Sequence, residues 1–196
     1  MNLPEPFSND DLYRSLNISS LHGQTKDALA KMQKGNWRYD IVEPGYKCNM
    51  TDIQAALGLV ELARYEDETL KRRREITEMY HDLLKVNTWA ELPSIESEIK
   101  TSSFHLYMLR IKGISEEQRD QIIQGIFDRD VSVNVHFQPL PLFTAYKERG
   151  YDMKSTPEAL DLYKREISLP IFYDLSDEQI QTVCQAVVAS VESVLN

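Results

Sequence analysis

The sequence predicts an α+β fold in which helices cover a small sheet, and three observations predict it. Three capping boxes, Thr51-Asp52-Ile53-Gln54, Ser115-Glu116-Glu117-Gln118 and Ser176-Asp177-Glu178-Gln179, each open a run of apolar residues at helical spacing. Alternating apolar positions mark strands over Ser103–Ile111 and Val131–Val135. The strands are few and short and are interleaved with helices, which limits the sheet to a small one. The chain has 196 residues and 42% hydrophobic content, enough for one domain, or a domain with a subdomain, around a packed core.

Taken in order, Pro4 and Pro6 make the start extended, and Ser8-Asn9-Asp10-Asp11 offers a helix start followed by Leu12, Leu16 and Ser19 on one face. Residues 23–50 hold Gly23, Gly35, Pro44 and Gly45 with little periodicity and read as a long irregular connection, a kind of segment that is often functional. The Thr51 box opens a helix through Ile53, Ala56, Leu57, Val60 and Ala63. A second helix over about 69–86 carries Ile76, Met79, Tyr80, Leu83 and Leu84. Its basic run Lys71-Arg72-Arg73-Arg74 is expected on a solvated or interfacial face. Residues 87–101, with Pro93 and several acidic positions, read as a loop.

The Ser103–Ile111 strand is apolar on both faces and so is expected to be central in the sheet. The Ser115 helix runs to about Asp128, and Pro139 and Pro141 end the Val131–Val135 strand. Phe143–Arg149 suits one or two helical turns stopped by Gly150. Thr156-Pro157-Glu158 starts a helix to about Arg165. Ile167–Leu169 suits a short strand before Pro170. The terminal helix carries a wide stripe of Ile180, Val183, Cys184, Val187, Val188, Val191 and Leu195.

The formal net charge of −9, with no extended basic block, argues against general nucleic-acid or anionic-membrane binding. Cys48 and Cys184 have neither CxxC spacing nor a nearby histidine pair, which argues against a disulfide framework or a zinc site and for two free thiols. No apolar run approaches the ~20 residues that span a bilayer, and the N-terminus lacks signal-peptide features. The expectation is a cytoplasmic protein without membrane or nucleic-acid partners.

No GxSxG, HExxH or GxGxxG is present. Of the four histidines, His22, His81, His105 and His136, none has metal-ligand spacing to another. His81 is expected at a helix surface. His105 and His136 fall on expected strands, where a packed, hydrogen-bonded ring is a commoner role than catalysis. Two segments stand out. Gly45-Tyr46-Lys47-Cys48-Asn49-Met50-Thr51-Asp52 places a turn directly before a capped helix, where an anion could be received or the turn could simply start the helix. Val135-His136-Phe137-Gln138-Pro139-Leu140-Pro141-Leu142 ends a strand in a stiff proline turn that can project His136 into a cleft.

These pieces, with Ser20-Leu21-His22-Gly23, Met50–Gly58, Arg72-Arg73-Arg74, Ser102-Ser103-Phe104-His105-Leu106-Tyr107, Val135-His136-Phe137, Pro139-Leu140-Pro141, Thr144-Ala145-Tyr146-Lys147, Gly150-Tyr151-Asp152 and Ser168-Leu169-Pro170, occur in one order. In that order they resemble the DegT/DnrJ/EryC1/StrS family of sugar aminotransferases, over roughly residues 12–195. The resemblance implies the small C-terminal domain of a fold-type I PLP-dependent transferase (α/β as a whole), with helices on a small, mostly antiparallel sheet. It implies that residues 1–50 are an N-terminal extension and loop, the tail of a large domain, and that 51–196 are the small domain. The family's large pyridoxal phosphate (PLP) domain, with its Schiff-base lysine, precedes these motifs, and no residue here matches that lysine motif.

Members of the family are homodimers with active sites at the subunit interface. The loop before the capped helix meets the PLP phosphate of the neighbouring subunit, usually through an Asn shortly after the Gly-Tyr pair. Lys47 stands at that position here with Asn49 two residues on, which implies cofactor contacts for Tyr46 and for either Lys47 or Asn49. His136 matches a histidine near the substrate end of the cleft, and His105 and Tyr107 match a recurrent strand piece for which packing is at least as common a role. No catalytic residue and no metal ligand carries over. The implied parent reaction is amino transfer from an amino acid to a nucleotide-linked keto sugar, for surface polysaccharide or lipopolysaccharide synthesis. This chain alone is expected neither to bind PLP nor to transaminate. Its expected partner is a separate N-terminal half, or an intact homologue reached through residues 45–86. The alternative is a non-catalytic interaction or regulatory module, or a relict, derived from such an enzyme. Faces that pack on the large domain are expected to be apolar and exposed.

Overall fold

All three capping boxes form as the side-chain chemistry demands. The computed structural model, which describes residues 9–25 and 40–195, shows each hydroxyl accepting from a backbone N–H three residues on while the Gln side chain accepts from the cap's own N–H. The expected extended start at Pro4 and Pro6, the Ser8 helix start and the 26–39 part of the irregular connection lie outside the described residues. The chain divides into two units, 1–63 and 64–196.

The first unit holds α1 (Asn9–Ser20) and α2 (Asp52–Arg64, whose last residue passes into the second unit). Between them the described backbone is irregular, apart from single bridges Leu21↔Lys47 and Gln24↔Ile41. α2 has the expected helical spacing but buries none of it: Ile53, Leu57, Leu59, Val60 and Leu62 are 64–77% exposed. Ile53, Leu57 and Val60 share one face as expected, whereas Leu59 and Leu62 lie off it, and among the described residues none of the five is covered.

The second unit begins with a π-helical stretch (Tyr65–Leu70) and α3 (Lys71–Leu84). Short strands β1 (Ala90–Glu91), β2 (Glu96–Ser97) and β3 (Lys100–Thr101) precede β4 (Tyr107–Ile111) and α4 (Glu116–Phe127). After a 3-10 turn (Leu140–Leu142) come α5 (Thr144–Lys147), α6 (Pro157–Arg165), β5 (Glu166–Leu169) and α7 (Asp177–Leu195). The main sheet is antiparallel in the order β1-β4-β5, so β4 is central as expected. Its register pairs Tyr107 with Leu169 and Arg110 with Glu166, and β2 and β3 form a separate hairpin. Ile76, Tyr80 and Leu84 of α3, Ile122 and Ile126 of α4, and Ile180, Val187 and Val191 of α7 close over Tyr107, Leu109, Ile111 and Ile167. Burial of each aliphatic side chain is worth about 2 kcal/mol, so this layer carries the unit's stability.

Four expectations change. The Val131–Val135 strand reduces to one bridge, Asn134↔Ser168. Asn134 and Ser168 exchange two bonds of 2.7 and 3.2 Å, but the next free donor, His136 N–H, goes to the Glu166 side chain instead of a ladder carbonyl. The Ser103 strand starts only at Tyr107, because Phe104 sits at φ +54° with its N–H tied to Ser102 Oγ. The 87–101 loop contains β1 and the β2–β3 hairpin. His81 is not a simple surface residue: its ring is half-buried between Thr77 O, Pro93 O and the Tyr107 hydroxyl.

The Ser115 box offers a clean stability test. Ser115→Ala removes the acceptor for Gln118 N–H and is expected to cost about 1 kcal/mol, read as a drop of a few degrees in thermal midpoint.

Candidate functional site

In the first unit the candidate loop is built by α1's C-terminus. Gly23 N–H returns to Ile18 O at 2.8 Å, and His22 and Gly23 both take left-handed backbone, φ +59° and +74°. That turn exposes donors and acceptors to the returning chain. His22 N–H donates to Tyr46 O (2.8 Å), Tyr46 N–H to Ser19 O (2.7 Å) and Cys48 N–H to Ser20 O (3.0 Å). Ser19 Oγ adds a 2.6 Å bond to the Glu43 carboxylate. Two glycines let the two segments touch: a Cβ on Gly45 would lie 2.2 Å from Gly23 N, and one on Gly23 would lie 1.7 Å from Glu43 O.

The expected residues Tyr46, Lys47 and Asn49 are held together on this clamped loop, and all three side chains are exposed. The Lys47 ammonium donates to Asn49 Oδ1. That orients the Asn49 amide so that its two N–H donors point away from the bond, beside a cation. The α2 end contributes less to anion binding, because the Thr51–Gln54 box already occupies two of its donors and Asp52 places a negative charge in the first turn. The donor set that suits a phosphate is therefore Lys47 with Asn49, one charge and one amide.

The second unit holds His136, just past the Asn134 bridge and not on a strand. Its ring is half-buried, edge-on to Phe137 at 4.6 Å between centroids. Nδ1 lies 2.8 Å from Ser168 Oγ, and Ser168 Oγ donates to Glu166 Oε1. Glu166 Oε2 accepts the His136 backbone N–H at 2.9 Å. Glu166 and Ser168 are 4% exposed, and burial pushes the Glu166 carboxyl above its ordinary range, partly offset by the bonds from Ser168 and the His136 N–H. Sequence reasoning did not include Glu166. The signal was available: positions i and i+2 of a strand share a face, so Glu166 stands beside Ser168.

His105 is exposed just before β4, with Nδ1 3.2 Å from Arg73 Nη1. Arg73 can only donate, so Nδ1 accepts and the His105 ring proton sits on Nε2. Tyr107 is fully buried, packed at 4.9 Å against the Tyr80 ring, which makes its role one of packing. The basic run is divided: Lys71 and Arg74 are exposed, whereas Arg72 bonds Asp177 and Leu175 O and so holds the start of α7. Both cysteines are free thiols, and burial pushes Cys184 up to about 12, far from thiolate chemistry at neutral pH. No helix among the described residues is long and apolar enough to cross a membrane.

A family model described as the DegT/DnrJ/EryC1/StrS aminotransferase family matches residues 7–188. Spore coat polysaccharide biosynthesis protein SpsC of Bacillus subtilis is 34% identical over 185 residues, which is 91% of this chain and 46% of that protein. Among solved structures, the PMP-form of "Putative sugar aminotransferase Spr1654" from Streptococcus pneumoniae superposes with TM-score 0.85 at 44% identity, over 98% of this chain and 48% of that one. Its PLP-form gives TM-score 0.84 at 39% identity, over 100% and 47%. The chain spans about half the length of the curated relatives it matches.

Proposed function

Because this chain belongs to the DegT/DnrJ/EryC1/StrS aminotransferase family, we propose that it supplies the C-terminal half of a PLP-dependent aminotransferase acting on nucleotide-linked keto sugars. The product class would feed surface polysaccharide or lipopolysaccharide synthesis. One observation carries the reading: the exposed Lys47–Asn49 pair on a loop clamped by Gly23 and Gly45, a donor set that fits a phosphate.

In this reading residues 1–50 are the tail of a large domain and residues 51–196 the small domain. The loop reaches the neighbouring subunit of a homodimer. There Lys47 contributes charge, Asn49 an amide donor and Tyr46 an aromatic side chain beside the phosphate. Pyridoxal phosphate, when held, supplies the electron sink of the reaction. His136 meets the sugar end of the substrate and orients it through one ring nitrogen. No lysine of this sequence matches the family's lysine motif, so the chain neither holds the cofactor nor transfers an amino group by itself.

The test is reconstitution. The purified chain with PLP, glutamate and a nucleotide-linked keto sugar is expected to show no turnover. With the N-terminal half of a homologous enzyme, turnover appears. A stable complex of the two halves that stays inactive on a panel of such sugars would sink the reading. The exposed apolar side of α2 favours a second reading, a non-catalytic module that docks on an intact homologue. A stable complex with the intact enzyme, and none with the isolated half, would select it.

A further inference from the structure

We propose that Glu166 and Ser168 are positioning residues that hold the His136 ring proton on Nδ1 and leave Nε2 as a lone-pair acceptor facing outward. With Glu166 ionised, the bonds leave one consistent direction. The Glu166 carboxylate is an acceptor at both oxygens: Oε2 takes the His136 backbone N–H and Oε1 takes the Ser168 hydroxyl. Ser168 has a single proton, and it is committed to Glu166. Toward His136 Nδ1, 2.8 Å away, Ser168 Oγ can then only accept. A neutral imidazole donates from one nitrogen and accepts at the other, so the ring proton lies on Nδ1.

Nε2 has no hydrogen-bond partner among the described residues, nor is it among the buried polar atoms left without one. The lone pair it presents suits a donor, such as a hydroxyl of a sugar. Against the cost of burial, which is the largest influence, the Ser168 hydroxyl and the His136 backbone N–H favour the charged carboxylate, with a smaller contribution from the Arg119 guanidinium that donates to the Glu166 backbone carbonyl at 3.3 Å. Glu166 and Ser168 point the same way because they stand two residues apart on β5, and the Asn134↔Ser168 bridge sets His136 opposite them.

The substrate role of Nε2 rests on the function proposed above, but the tautomer does not, so the two can fail separately. The experiment is 15N–1H correlation of the histidine rings in the full chain, labelled on histidine, at about pH 8.5, where imidazole is neutral. His136 is assigned by loss of its signals in His136→Ala. The wild type should show a pyrrole-like Nδ1 and a pyridine-like Nε2. In Glu166→Gln the new amide must place its oxygen toward the fixed His136 N–H, so its NH2 turns to Ser168. The hydroxyl then donates to Nδ1, and the two ring shifts should exchange. Ser168→Ala should release the ring toward the Nε2–H form, and Ser168→Thr should restore the wild-type pattern.

A wild-type ring protonated on Nε2 would overturn the proposal, as would a tautomer that Glu166→Gln leaves unchanged. If Ser168→Ala loses its fold, Glu166→Gln and Ser168→Thr still decide, because a merely structural role predicts no exchange of shifts in the first. Retention of the tautomer switch alongside a His136→Ala variant that transaminates normally in the reconstituted enzyme would remove the substrate role and leave the positioning assignment standing.

Discussion

Gly45→Ala is expected to lower amino transfer by the reconstituted enzyme about 100-fold, the loss that follows a misplacement of about 1 Å at a site. The added Cβ would meet Gly23 N at 2.2 Å, His22 C at 2.7 Å and Ser19 O at 2.9 Å. All three are backbone atoms, so no side chain can swing aside and the two segments must separate. The bonds from His22 N–H to Tyr46 O and from Tyr46 N–H to Ser19 O would open with them. Amide exchange should therefore speed up at His22, Tyr46 and Cys48 in the chain alone, before any partner is added. Slow exchange at those amides in Gly45→Ala would show that the glycine clamp does not set the loop. Lost protection with full activity would instead show that Lys47 and Asn49 do not depend on it.

Arg119→Ala is expected to destabilise the second unit by about 3 kcal/mol, within the range for breaking a buried charged network. The Arg119 side chain is 3% exposed, on a helix whose buried face otherwise carries Ile122 and Ile126. Its Nη1 donates to Tyr163 O at 2.9 Å and Glu166 O at 3.3 Å, and its Nε to Asp120 at 2.7 Å. The guanidinium also lies 4.9 Å over the Tyr163 ring. Truncation leaves two carbonyls at the α6–β5 junction without that donor and removes the apolar stem. Arg119→Lys keeps the charge but not the fork, so it should recover only part of the loss. Urea denaturation measures both, and a change under 1 kcal/mol for Arg119→Ala would mean that water replaces the guanidinium at those carbonyls.

The helices were legible because their signals are local. A hydroxyl and an amide three residues apart form a capping box wherever the chain goes on as a helix, and Thr51, Ser115 and Ser176 all do so. The buried stripe of α7 up to Val191, though not Leu195, which is exposed, and the central place of β4 were also readable, because apolar spacing reports which faces leave water. The loop holding Tyr46, Lys47 and Asn49 could be located from its glycines and the helix that follows.

Tertiary structure decided what depends on partners distant in sequence. Whether Val131–Val135 became a strand turned on where the His136 N–H found its acceptor, and the Glu166 carboxyl took it across 30 residues. Whether Arg119 lay inside or outside turned on two carbonyls 44 and 47 residues away. His81 left the surface because Pro93 and Tyr107 closed over it. Spacing along the chain thus determined which helices form and which residue types sit on the candidate loop. Only folding decided which buried polar groups meet, because a hydrogen bond depends on distance in space and its acceptor can lie anywhere in the sequence.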